Sequence, residues 1–143
     1  MRVPSAPPET GSSATPFAEQ LPLFVYGTLR RGECNHEPHL GGRFVSVVPA
    51  RLPHHVRRVA SHGFLVIRPE PGSEVWGELY FLDPARCRET LELCDRLEEI
   101  PPGSLRGDWY ERQVVWVEAA GAQHRAWAYV EARGDELASH QPD

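Results

Sequence analysis

Lysine is missing from this chain: all 15 basic side chains are arginine, which excludes chemistry through a lysine amine. Cysteine is scarce as well. Cys34, Cys87 and Cys94 form an odd set without CxxC spacing, so neither a disulfide scaffold nor a zinc ribbon is expected, and a reducing cytoplasm is the expected compartment. Long apolar runs are absent, since Arg, Glu, His or Pro interrupts every stretch well short of the ~20 residues that cross a bilayer. A soluble protein without membrane partners is expected. Basic clusters are absent too. With arginines paired at most, as in Arg30-Arg31 and Arg57-Arg58, and a formal charge of −5, the chain offers no footprint for a phosphate backbone, and nucleic acid is not an expected partner. Internal repeats are not found, and the Gly-Lys-Ser/Thr ending of a P-loop does not occur.

What is present fits one core of ordinary size, because 143 residues at 41% apolar composition are too few for two. Residues 1–20 hold four prolines among Ser, Thr and Ala and lack the apolar centre of a secretory signal, so they read as a disordered leader. The expected domain is 21–133, and 134–143 read as a polar tail.

Within the domain the apolar pattern predicts about six strands. Leu21 to Tyr26 is a buried strand that stops at Gly27. Arg43 to Arg51, Phe64 to Ile67, Val75 to Leu82, Tyr110 to Val117 and His124 to Glu131 follow, separated by Gly and Pro punctuation. Between the fourth and fifth, Asp83-Pro84 carries the signature of a helix start, and Pro101-Pro102-Gly103 forbids continuation, so a helix is predicted from about Asp83 to Glu98 or Glu99. The class is α+β, with a mainly antiparallel or mixed sheet that can close into a barrel.

The helix carries a carboxylate on an apolar side. At about 100° per residue Cys87, Leu91 and Cys94 form the buried stripe, flanked by Thr90 and Leu97, and Glu98 falls about 20° from Cys87. Asp95 lies about 80° off that stripe and reads as a rim residue. Burial disfavours an ionised carboxylate and raises its pKa toward the range of a general acid or base, which makes Glu98 a candidate proton carrier. The helical pattern alone leaves open whether the helix reaches Glu98 or ends before it. The other candidate is the turn Tyr26-Gly27-Thr28-Leu29. Leaving a strand at glycine permits φ > 0 and close ligand approach, so that successive N–H groups can converge on an anion; a plain structural turn is the alternative.

The string Phe24-Val25-Tyr26-Gly27-Thr28-Leu29-Arg30-Arg31-Gly32 with Asn35-His36 resembles the γ-glutamylcyclotransferase-like (AIG2-like) family, most closely its γ-glutamylamine cyclotransferase branch. Val75-x-Gly77-Glu78-Leu79-Tyr80 is similar to the family's V-x-G strand. Asp95-Arg96-Leu97-Glu98 followed by Tyr110-x-Arg112 is similar to its D-x-x-E and Y-x-R pattern, and Ala126-Trp127-Ala128-Tyr129 to its last strand. The resemblance implies a small mixed β-barrel of about six strands with flanking helices, no metal and no cofactor. It implies release of 5-oxoproline and a free amine from a small γ-glutamyl amide, by attack of the substrate's own α-amine. Glu98 is then the general base and acid, and the backbone of Tyr26, Gly27, Thr28 and Leu29 holds the γ-glutamyl group. Tyr110 either orients substrate or carboxylate or fills the barrel mouth. The expected assembly is a monomer or weak homodimer. Two departures bear on the leaving amine: Ser61 to Pro69 lacks the family's Tyr-Pro pair, and the loop from Glu99 to Trp109 is long and proline-rich. The rival readings are a non-catalytic binding module on the same fold, a zinc hydrolase drawing on Cys34, His36, His39, His54, His55 and His62, and a cysteine nucleophile.

Overall fold

The computed structural model describes residues 20–27, 39–60 and 63–132. Apart from Gln20, the expected leader lies outside them, as do the polar tail, Thr28, Leu29, Cys34, His36 and His62. The described chain forms β1 (Leu23–Val25), β2 (Phe44–Val59), β3 (Leu65–Leu82), helix α1 (Cys87–Leu97), β4 (Tyr110–Ala119) and β5 (Ala122–Glu131).

Among the described residues five strands stand where about six are expected, because the segments read separately at 64–67 and 75–82 are the two ends of β3. The proline and glycine between them shift the register without ending the strand: Pro53 pairs with Glu74, but His55 pairs with Pro69. His54 at φ 61 and Gly72 at φ 85 absorb the irregularity, which places Pro69 and Pro71, with no N–H to donate, where the ladder is already interrupted. β2 correspondingly continues past Arg51 to Val59. The helix also starts later than expected. The Asp83 carboxylate accepts the Ala85 N–H at 3.0 Å and its carbonyl accepts the Arg86 N–H at 2.9 Å, so Asp83 closes a local turn and α1 begins at Cys87.

The sheet closes in the order β1-β3-β2-β4-β5. It is mixed, since β1 runs antiparallel to β3 but parallel to β5. Two seams are thin: Leu23 with Trp127 joins β1 to β5, and Arg51 with Glu118 joins β2 to β4. At the second seam Arg51 hydrogen-bonds both Glu74 and Glu118.

The closed sheet makes two cores. Phe24, Leu52, Ile67, Leu79, Val117 and Ala128 come from all five strands and fill the interior. On the other face Leu23, Val25, Tyr80, Trp127 and Tyr129 pack against Cys87, Leu91 and Cys94 of α1. β1 and the second half of β5 are therefore buried on both sides, which is why Leu23-Phe24-Val25 and Ala126 to Val130 are continuously apolar or aromatic. Gly77 is required by this layering. A Cβ there would lie 2.2 Å from the Val25 carbonyl oxygen and 3.0 Å from the Phe24 ring, so β1 can lie against β3 only across a glycine.

Candidate active site

The ends of β1, α1 and β5 and the starts of β3 and β4 meet at one end of the barrel. A cavity of about 330 Å³ opens there, and Tyr26, Gly27, Glu98 and Tyr110 all line it. Four of the six residues singled out from the sequence are thus brought together; Thr28 and Leu29 lie outside the described residues.

Glu98 owes its place to the way the helix stops. It is the C-cap residue, at φ −87 and ψ 9, and its N–H still bonds the Cys94 carbonyl at 3.0 Å. Glu99 follows at φ 61. Its N–H bonds the Arg96 carbonyl at 3.1 Å, and the Ile100 N–H returns to the Asp95 carbonyl at 2.9 Å. This pair of bonds, with the left-handed residue between them, is a Schellman cap. Ile100 packs into the same core as Cys94, the apolar contact that usually accompanies the motif. Gly107 seals the cap from outside, since a Cβ there would lie 2.3 Å from the Glu99 carbonyl oxygen. The question of whether the helix reaches Glu98 is thereby resolved: the helix delivers Glu98 at its last orderly position, half-buried on the core side.

Burial pushes the Glu98 carboxyl up to about 7, and the neighbouring charges of Asp95 and Glu99 push the same way. Its position at the negative end of the α1 dipole adds to the effect. The phenols opposite are held neutral. Burial and the nearness of Glu98 raise Tyr110 to about 12, and burial raises Tyr26 well above its ordinary value. Both hydroxyls are committed as donors: Tyr26 to the Tyr129 carbonyl at 2.6 Å and Tyr110 to the Leu65 carbonyl at 2.7 Å. Tyr110 thus fastens the start of β4 to the start of β3, beside the half-exposed Phe64 that shares the cavity wall.

Gly27 differs from expectation. Its φ is not positive, and among the described residues a Cβ there would meet the Leu65 side chain at an ordinary 3.8 Å. The strand simply runs out into the cavity wall without a left-handed turn at this position.

Asp95 is not a rim residue. It is buried and receives Arg112 in a two-pronged ion pair, Nε to Oδ1 at 2.8 Å and Nη2 to Oδ2 at 3.1 Å, and the Tyr129 hydroxyl donates to Oδ1 at 2.7 Å. The Arg112 guanidinium also lies over the Trp127 ring, 4.3 Å from its centre. Helix spacing could not place Asp95, because what buries it belongs to strands. The signal that existed was an arginine of the same parity as Tyr110 on β4, on the helix-covered face, facing Tyr129 in register on β5. Phe64, Trp109 and Tyr129 also line the cavity.

The cysteines of α1 are poor nucleophiles: both are buried, and burial pushes the Cys94 thiol up to about 12. Among the described residues, no three His, Cys, Asp or Glu side chains cluster so as to hold a metal ion. Nor is any helix among them long and apolar enough to cross a membrane.

Comparison with known proteins adds to this geometry. The family described as γ-glutamyl cyclotransferase, AIG2-like, matches residues 23–142. Among similar sequences, γ-glutamylaminecyclotransferase C of Danio rerio is 27% identical over 128 residues, 85% of this chain and 78% of that protein. The γ-L-glutamyl-butirosin B γ-glutamyl cyclotransferase of Niallia circulans is 34% identical over 126 residues, 85% of this chain and 73% of that protein. Among solved structures, an AIG2-like protein from Mus musculus superposes with a TM-score of 0.59 at 24% identity, covering 82% of this chain and 80% of that one. A yeast γ-glutamyl cyclotransferase specific to glutathione gives 0.61 at 12% identity, covering 81% and 70%. At these identities the structural likeness is one of fold.

Proposed function

This chain belongs to the γ-glutamyl cyclotransferase, AIG2-like family of enzymes, and on that premise we propose that it converts a small γ-glutamyl amide into 5-oxoproline and a free amine, with Glu98 moving both protons. The observation that carries this reading is the Glu98 carboxyl at the cavity wall, half-buried at the end of α1 and pushed up to about 7. At neutral pH such a group is populated as both base and acid.

The substrate contains its own nucleophile. Glu98 as carboxylate takes a proton from the α-ammonium, and the freed amine attacks the γ-carbonyl carbon to close a five-membered ring. As the tetrahedral centre collapses the bond to the departing nitrogen breaks and protonated Glu98 returns its proton to that nitrogen; the carboxylate so restored takes the extra proton of the ring nitrogen and passes it to the released amine, leaving a neutral lactam and an ammonium product. The cavity holds the chain folded so that amine and carbonyl meet, which is where an intramolecular reaction gains most of its rate. The backbone from Tyr26 through Gly27, Thr28 and Leu29 is assigned to the γ-glutamyl end and the developing oxyanion. Tyr110, its hydroxyl engaged with Leu65, acts by shaping the wall. The leaving amine lies toward Phe64 and Trp109, which come from the two stretches that depart from the family pattern.

The test is a panel of γ-glutamyl amides assayed for 5-oxoproline, with an α-N-acetylated member as control. Release from at least one amide and none from its acetylated form is expected. Free glutamate in place of 5-oxoproline, or no release from any amide by folded protein, overturns the reading.

A further inference from the structure

We propose that Asp95 is a positioning residue for Glu98: gripped by Arg112 and Tyr129, it anchors the last helical turn to strands β4 and β5 and keeps a second carboxylate fixed beside the cavity. This rests on the proposed role of Glu98.

The geometry has three parts. First, Asp95 is the residue through which the end of α1 is tied to the barrel, for its carbonyl receives the Ile100 N–H of the cap while its side chain receives Arg112 of β4 and Tyr129 of β5. Glu98 lies one turn further on, so the turn that carries it cannot shift or rotate without breaking charge-assisted bonds in a buried site. Second, Tyr129 belongs to both places. Its ring lines the cavity, its hydroxyl holds Asp95, and its carbonyl holds the Tyr26 hydroxyl. Third, the ion pair is an expensive way to fasten a helix, since an apolar contact of similar volume is often as stable. A fixed charge next to Glu98 is what an apolar clamp would lack.

The groups about Glu98 identify which of them acts on it electrostatically. Its own helix end presents Asp95, Glu99 and the Cys94 thiol. The position just after β1 presents Tyr26, β4 presents Tyr110, and β5 presents Tyr129, with Arg112 on the far side of Asp95 and with Arg57 of β2 and Glu131 of β5 near Tyr26. The phenols and the thiol are neutral at working pH, so Asp95 and Glu99 are the charges that hold the Glu98 proton on. Asp95 is the buried and immobilised one.

The experiment uses the full chain, with Asp95→Asn and Tyr129→Phe compared to wild type. The Glu98 carboxyl is followed by carbon-13 NMR titration, its signal assigned by its absence in Glu98→Gln, and kcat and KM are measured for an amide that the panel shows to be turned over. Asp95→Asn is expected to lower the Glu98 midpoint by roughly half a unit or more. It should cut kcat about tenfold or more while leaving KM within about twofold. Tyr129→Phe keeps the Asp95 charge, so the midpoint should stay while kcat falls several-fold. An unmoved midpoint in folded Asp95→Asn overturns the inference. If Asp95→Asn does not fold, wild-type kcat in Tyr129→Phe overturns it. Full activity in Glu98→Gln, or no turnover by wild type, instead defeats the proposed function, and the titration then decides the Asp95 inference alone.

Discussion

Replacing Glu98 by Gln keeps the size of the side chain and removes its ability to carry a proton, so chemistry and stability should respond in opposite directions. Turnover is expected to fall by ~10²–10⁴, the usual worth of a general acid or base, with substrate affinity little changed. Stability should rise, and the rise should depend on pH. The Glu98 carboxyl stands at about 7 in the folded chain against an ordinary 4.5. Below pH 4.5 both folded and unfolded chains hold the proton and burial costs nothing. Between 4.5 and about 7 the unfolded chain gives it up while the folded chain does not, so stability drains away as pH rises, and above 7 the full penalty is in place. Integrating that linkage gives a wild-type cost of roughly 0.2 kcal/mol at pH 4 and about 3 kcal/mol at pH 8. Gln pays neither. The melting temperatures of variant and wild type should therefore nearly coincide at pH 4 and separate by several degrees at pH 8, at about 4 °C per kcal/mol for a domain of this length. Thermal melts at four pH values beside a 5-oxoproline assay measure both. Near-normal turnover from folded protein refutes the catalytic assignment, and a stability difference that stays flat with pH refutes the burial argument.

Glu99→Gly relieves a left-handed non-glycine residue and should add about 1 kcal/mol of stability; because it also removes a charge that raises Glu98, the acid limb of the pH–rate profile should move down, and an unmoved limb would show that Glu99 does not act on the site. Gly77→Ala drives a methyl against the Val25 carbonyl oxygen and the Phe24 ring, so a loss of about 3 kcal/mol is expected in denaturant melts, and wild-type stability would mean that β1 does not sit on β3 as described. Gly27→Ala meets nothing closer than an ordinary contact among the described residues and should melt like wild type, with any loss appearing in KM; a collapse in stability would show that this position needs glycine for the fold.

How much of this was legible beforehand differs by residue. The side of the helix on which Glu98 would fall was legible, because a helix packed on one sheet has a single buried side that angular spacing finds, but whether the helix reaches that far depended on the cap at Glu99. Asp95 was not, because the end of α1 is covered a second time by β4 and β5, and its partners Arg112 and Tyr129 are 17 and 34 residues away. The strand count erred at Pro69 to Ser73 for a similar reason. Punctuation in a sequence marks where pairing is disturbed, and here β2 bulges at His54 to keep step across the disturbance. The resemblance in the first strand pointed to the end of the barrel where the cavity opens, while the position of the cap at Glu99 depended on packing against Gly107 that no local pattern encodes.

The thin seam between β1 and β5 has a consequence for how the enzyme comes into being. Three residues of β1 slot between β3 and the last strand, and Tyr26 and Gly27 of the cavity wall come directly after them. The hairpins of β2 with β3 and of β4 with β5 are made of neighbours in the chain and can form early, whereas β1 has nowhere to lie until both are built. As the keystone of the closed sheet it is expected to be set last. A chain stalled short of that step has its hairpins and even its helix but lacks the Tyr26 and Gly27 wall of the cavity, so onset of activity during refolding should coincide with closure of the barrel, and turnover itself becomes the reporter of the final native contact.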